Sequence, residues 1–140
     1  MTVDDFEAIR QLKARYFRCM DTKDWAGMRQ VFADDVRMEV EDEGGVIHEG
    51  ADDFMVFLSG VLDGVITTHH GHMPEITITS PTTASAIWAM EDMLRWPDGT
   101  EMHGYGHYHE TYTKVGDDWK IQSSHLTRLR VDFTPATTSA

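Results

Sequence analysis

Two aspartates, one tyrosine and a group of histidines sit where helix and strand patterns give them no structural reason to be. Asp92 falls in a run whose alternate residues, Ala84, Ala86, Trp88, Met90 and Leu94, share one strand face. A carboxylate on an apolar face is costly unless it is paired or hydrogen-bonded. The plainer alternative is an edge position near a strand end that reaches water. Asp21 lies near the C-terminal end of a first helix, where the macrodipole disfavours negative charge. It could equally be a turn residue between two helices. Tyr16 stands on the apolar stripe of that helix, and a buried phenol needs a partner. Five residues separate Tyr16 from Asp21, about 140° around an ideal helix, so the two share a face only if the helix bends or ends near Asp21. The histidines form two groups. His69, His70 and His72 precede one strand, and His103, His107 and His109 recur on another with period two, with Tyr105 among them. A metal site is one reading, but no HExxH pattern occurs and no carboxylate or cysteine stands at a ligand spacing. A general base in a lined pocket is the second reading. Surface or packing histidines are the default for most of the six. Imidazole, carboxylate and phenol together are groups suited to moving protons near neutral pH.

These residues must be positioned by a chain that reads as helices first and strands after. Phe6, Ile9, Leu12, Tyr16, Phe17 and Met20 recur at steps of three and four, which predicts a first helix with Asp4, Asp5 and Glu7 at its start. Asp24 is placed to cap a second short helix carrying Trp25, Met28, Val31 and Phe32. Val36–Val40 alternates as a strand, Glu43-Gly44-Gly45 signals a turn, and a short strand follows near Val46-Ile47-His48. Phe54, Phe57, Leu58, Val61 and Leu62 mark a third helix. Four long strands then follow, the first carrying Ile76 and Ile78, the last running from Trp119 to Phe133, with turns at Ser80-Pro81-Thr82, Trp96-Pro97-Asp98-Gly99 and Gly116-Asp117-Asp118. This order is the α+β pattern. It predicts a cone-shaped α+β barrel, with N-terminal helices packed in a strongly curved antiparallel sheet around a pocket.

The 140 residues suit one domain, 1–140, with a flexible small-residue tail over 134–140. Lys and Arg number 12 against 24 Asp and Glu, a net charge of −12, which argues against nucleic acid and anionic membrane surfaces as partners. The lone cysteine, Cys19, allows no intrachain disulfide, and MTVDDFEAIR has neither a basic n-region nor an apolar h-region. A cytoplasmic location is expected. No Gly-rich phosphate loop is present, since His103-Gly104-Tyr105-Gly106 lacks the GxGxxG spacing. No metal and no organic cofactor are expected.

Over residues 4–133 the chain resembles the SnoaL-like branch of the nuclear transport factor 2-like superfamily. The resemblance rests on Ile9-Arg10-Gln11-Leu12 through Tyr16 to Asp21, on Phe32-Ala33-Asp34-Asp35-Val36, on Thr67-Thr68-His69-His70 and on Trp119-Lys120-Ile121. Within that branch it is most similar to bile-acid 7α-dehydratase and scytalone dehydratase types. The second functional histidine of scytalone dehydratase has no counterpart at Met93-Leu94-Arg95. The resemblance implies a catalytic set of Tyr16, Asp21, His69 and Asp92. The substrate-binding lining expected beside it is Phe54, Phe57, Trp88, Met90, His107 and Arg128, and core packing explains its aromatic and Met residues equally well. The resemblance implies His69 as base, Asp21 holding its ring, Tyr16 as hydrogen-bond donor, and Asp92 as either acid or orienting group. The function implied is a lyase dehydrating a hydroxylated hydrophobic molecule such as a steroid or polyketide. An isomerase or cyclase using the same pocket, or a noncatalytic small-ligand-binding domain, are the alternatives. It also implies a homo-oligomer, trimer over dimer.

Overall fold

The computed structural model describes residues 4–40 and 45–137. Most of the predicted Glu43-Gly44-Gly45 turn and the last three residues of the predicted tail lie outside that range. Helix α1 spans Asp5–Asp21, with the Asp4 side chain accepting the Glu7 backbone N–H at its start, 2.8 Å away. Helix α2, Trp25–Arg29, is capped in the same way by Asp24. It is shorter than its apolar pattern suggests, because Phe32 already opens strand β1, Phe32–Val40. Strand β2 is Val46–Glu49 and helix α3 is Ala51–Val61. Strands β3 (Ile66–Ser80), β4 (Thr83–Arg95), β5 (Glu101–Val115) and β6 (Asp118–Thr134) complete the chain. His69, His70 and His72 therefore belong to β3 itself rather than to a segment before it.

The six strands form one curved, unclosed sheet in the order β2-β1-β6-β5-β4-β3. All neighbours are antiparallel except β1 and β6, which run parallel. Alternation along β4 and β5 puts Trp88, Met90 and Asp92, and Met102, Tyr108, Glu110 and Tyr112, on the buried inner face. Residues Ile9, Leu12, Tyr16 and Met20 of α1 close over it in the same core. The helix covers the Glu110 and Tyr112 end of β5. Beyond the helix terminus the inner face is open, and there the site lies. Among the described residues no helix is long and apolar enough to cross a membrane.

Candidate active site

A cavity of about 540 Å³ opens between the inner sheet face, the end of α1 and α3. Most of its wall is apolar: Met20, Met38, Phe54, Phe57, Leu58, Leu62, Leu94, Trp96, Met102, Leu126 and Phe133 among others. Its polar groups are Tyr16, Glu39, His69, Asp92, Tyr108, Ser124 and Arg128. Such a combination of apolar wall and few polar groups is what small-ligand sites usually show.

Asp21 is the last residue of α1, and the chain places its carboxylate against β3. One oxygen, Oδ2, accepts the His69 backbone N–H at 2.8 Å. The other, Oδ1, accepts the Thr67 hydroxyl at 2.9 Å and meets His69 Nδ1 at 2.7 Å. A carboxylate only accepts, so Nδ1 carries the proton and the Nε2 lone pair is left for the cavity side. Burial alone would raise the Asp21 carboxyl, but the His69 ring hydrogen bond, the ring charge, the His69 backbone and Thr67 together hold it below its ordinary range. A lowered carboxyl stabilises the fold above its unfolded value and loses that contribution as pH falls through the folded one. Urea midpoints measured below about pH 4, the carboxylate range, should therefore converge for the wild type and Asp21→Asn. Curves that stay parallel down the acid limb would contradict this.

Asp92, only 3% exposed, lies across from His69 in the β3–β4 register, its Oδ2 3.9 Å from His69 Nε2. The edge-position alternative for Asp92 therefore fails. Its charge is matched by Arg128 on β6, whose Nη1 and Nη2 donate to the two carboxylate oxygens at 2.7 and 3.0 Å. With both oxygens accepting from the guanidinium, neither is placed to carry a proton for donation, so the geometry suits an orienting and electrostatic group better than an acid. Gly104 makes room for the pair. A Cβ there would overlap Arg128 Nη1 and Asp92 Oδ1. Gly104→Ala is expected to displace the pair and cost about 1–3 kcal/mol, the usual scale of overpacking. A melting temperature equal to wild type would contradict it.

Tyr16 lies under Tyr108, with ring centroids 6.0 Å apart. Burial first, then the Glu110 charge, push its phenol well above the ordinary range, a Tyr108 hydrogen bond pulling the other way. Tyr16 is thus a neutral hydrogen-bond donor, not a base. The Lys13 ammonium sits 3.8 Å from the Tyr16 ring centre and 3.6 Å from that of Tyr108, and donates to Glu110 at 2.8 Å. Glu110 also accepts from the Tyr112 and Ser124 hydroxyls, 2.7 and 2.8 Å away, and Tyr112 in turn takes the Trp88 indole N–H.

Of the lining expected from the sequence, Phe54, Phe57 and Arg128 border the cavity. Three residues do not. Trp88 and Met90 share the inner face, but Trp88 sits with Phe17 of α1 against Gly71 and bonds Tyr112, while Met90 packs behind Arg128 with Sδ 3.9 Å from Nη1. His107 is a correction of sign: period two puts it with His103, Tyr105 and His109 on the outer face, opposite to Tyr108. The outer face also gathers His70, His72 and His103 around Glu91, at 3.7, 3.8 and 3.3 Å. Among the described residues no group of three His, Cys, Asp or Glu is arranged to hold a metal ion. Lys13, Glu110, Tyr108 and Ser124 have no part in the sequence reading, and Thr67 enters it only as a neighbour of His69.

A His–carboxylate pair facing an apolar cavity in an open α+β cone defines a class of small-molecule pocket proteins. The SnoaL-like domain model matches residues 1–125, and the chain belongs to that family, within the nuclear transport factor 2-like superfamily. A probable cyclase, FGR4, of Gibberella zeae is 29% identical over 137 residues, covering 86% of this chain and 89% of its own. Two solved structures show the same fold. A scytalone dehydratase-like protein of Novosphingobium aromaticivorans has a TM-score of 0.83 at 19% identity, over 97% of this chain and 89% of its own. The hexachlorocyclohexane dehydrochlorinase LinA-type3 of Novosphingobium barchaimii has a TM-score of 0.81 at 14% identity, over 96% and 92%.

Proposed function

We propose that this protein is a cofactor-independent lyase that removes water from a hydroxylated hydrophobic molecule, of steroid or polyketide kind. The observation that carries the reading is the His69–Asp21 hydrogen bond at 2.7 Å on the wall of an apolar cavity. In a 1,2-elimination a base takes a C–H proton, the electron pair forms the double bond, and hydroxide leaves with a proton as water. His69 Nε2 is the base and Asp21 stabilises the imidazolium that forms. Tyr16 donates to the oxygen on which negative charge develops. The proton held on Nε2 is then available to the departing hydroxyl. Arg128, bound to both oxygens of Asp92, holds that carboxylate in place beside Nε2.

A second reading is supported by the cyclase name of the Gibberella relative. The same set would return the proton to another carbon of the ligand, in a cyclisation or double-bond isomerisation. A thermal-shift screen over hydroxylated steroids and aromatic polyketides, followed by product analysis of each binder, separates the readings. Loss of one water supports the lyase; a product of unchanged mass supports the isomerase or cyclase; binding without conversion leaves only a binding module. Assembly as a trimer is part of the proposal, since the outer sheet face with its histidines is uncovered in the single chain.

A further inference from the structure

Helix α1 ends in a way that its own stability does not explain. Thr22 caps it, and the next residue, Lys23, has φ +61°. This is the left-handed position that follows many helices and is usually glycine, because a Cβ there is disfavoured. A lysine in that conformation is an outlier, and outliers of this kind gather at functional sites. Its side chain is half-buried rather than extended into water. The ammonium donates to the Thr67 hydroxyl oxygen at 3.0 Å and lies 3.4 Å from the Met20 carbonyl.

A hydroxyl has one proton to give. With Lys23 donating into the Thr67 oxygen, that proton is directed to Asp21 Oδ1, 2.9 Å away, which is the oxygen that also faces His69 Nδ1. Thr67 is 5% exposed, so water does not replace either bond freely. We infer that Lys23 and Thr67 are positioning residues, a relay in which the Lys23 ammonium fixes the Thr67 hydroxyl, the hydroxyl fixes Asp21, and Asp21 fixes the His69 ring. The relay also brings a positive charge to the negative end of α1, offsetting the unfavourable placement of Asp21 there. Burial holds the Lys23 ammonium below its ordinary range and the Asp21 charge offsets only part of that, so the relay stands on the hydrogen-bond geometry.

The inference rests on the proposed role of His69, but its test does not need a substrate. The His69 Nδ1 proton, bonded to a carboxylate, should give a far-downfield proton NMR resonance that disappears in Asp21→Asn. Lys23→Gly relieves the backbone strain, so it should fold with a melting temperature equal to wild type or higher. In that variant, and in Thr67→Val, the resonance should move upfield and its exchange with water should quicken by roughly tenfold, the scale of one hydrogen bond to a charged group. Lys23→Arg, which keeps a cationic donor, should restore it. The double variant Lys23→Gly with Thr67→Val should be no worse than Thr67→Val alone, since both act through one path. A resonance unchanged in position and exchange in Lys23→Gly would overturn the relay, as would additive effects in the double variant. A perturbed resonance in a protein that converts no tested compound would uphold the relay while counting against the lyase reading.

Discussion

His69→Ala should lower turnover by about 10² or more while leaving the fold intact, because a general base contributes on that scale. Asp21→Asn should lose about as much or up to roughly 10⁴, since an amide at 2.7 Å from Nδ1 can present its N–H and reverse the tautomer that leaves Nε2 free. The two losses should be strongly non-additive, as for residues that work as a unit. His69 is 8% exposed at the cavity wall and stacks on Phe17 at 6.3 Å, so Ala removes a packing contact as well. Steady-state kinetics on whichever compound the screen yields, with a thermal melt on each variant, checks both parts. Turnover within a few-fold of wild type in His69→Ala would remove His69 from the mechanism.

The largest expected effect on stability lies away from the cavity. Lys13 and Glu110 form an ion pair at 2.8 Å with side chains 1% and 0% exposed. Burial holds the Lys13 ammonium below its ordinary range, and the Glu110 charge and hydrogen bond offset only part of that. Removing one partner strands the other charge in the core, at a cost of about 3–5 kcal/mol. Lys13→Met should show that loss in urea unfolding. The double variant Lys13→Met with Glu110→Gln should recover most of it, because Gln can still bond the Tyr112 and Ser124 hydroxyls that now hold the carboxylate. A Lys13→Met variant within about 1 kcal/mol of wild type, the worth of an exposed pair, would contradict the assignment of a buried pair.

Much of the fold was legible because its signals are local. Asp4 and Asp24 announced two helix starts, and the alternation Trp88, Met90, Asp92 announced the inner face of β4. The same alternation gave Asp92 a reason to be paired, but not its partner. Arg128 lies 36 residues away, and a β-bulge in β6 between Arg128 and Arg130 shifts the register. Period two puts His107 and Tyr108 on opposite faces of β5, but it does not say which face is the inner one, and Tyr108 is the residue that turns inward. Trp88 and Met90 were misplaced for a different reason. Their face was correctly read, but the packing of α1 near Trp88 and the Arg128 side chain in front of Met90 are tertiary contacts, which periodicity does not report. Lys13 falls one residue after Leu12 and three before Tyr16, on the apolar stripe itself. The stripe held the clue, but a lysine there is more often a stem lying along a core with its charge in water. Only the facing strand shows Glu110 waiting beneath it.

The central claim is that His69 removes a proton from carbon in this cavity, and proton exchange tests it without a leaving group. Polycyclic ketones that lack the hydroxyl can bind and be deprotonated but cannot eliminate water. In heavy water the wild type should wash deuterium into the carbon beside the carbonyl of a bound ketone, followed by mass spectrometry or NMR. His69→Ala should bind the same ketone and exchange it at least about 10²-fold more slowly. Equal exchange by the two proteins, or no exchange by wild type on any ketone shown to occupy the cavity, would contradict the claim.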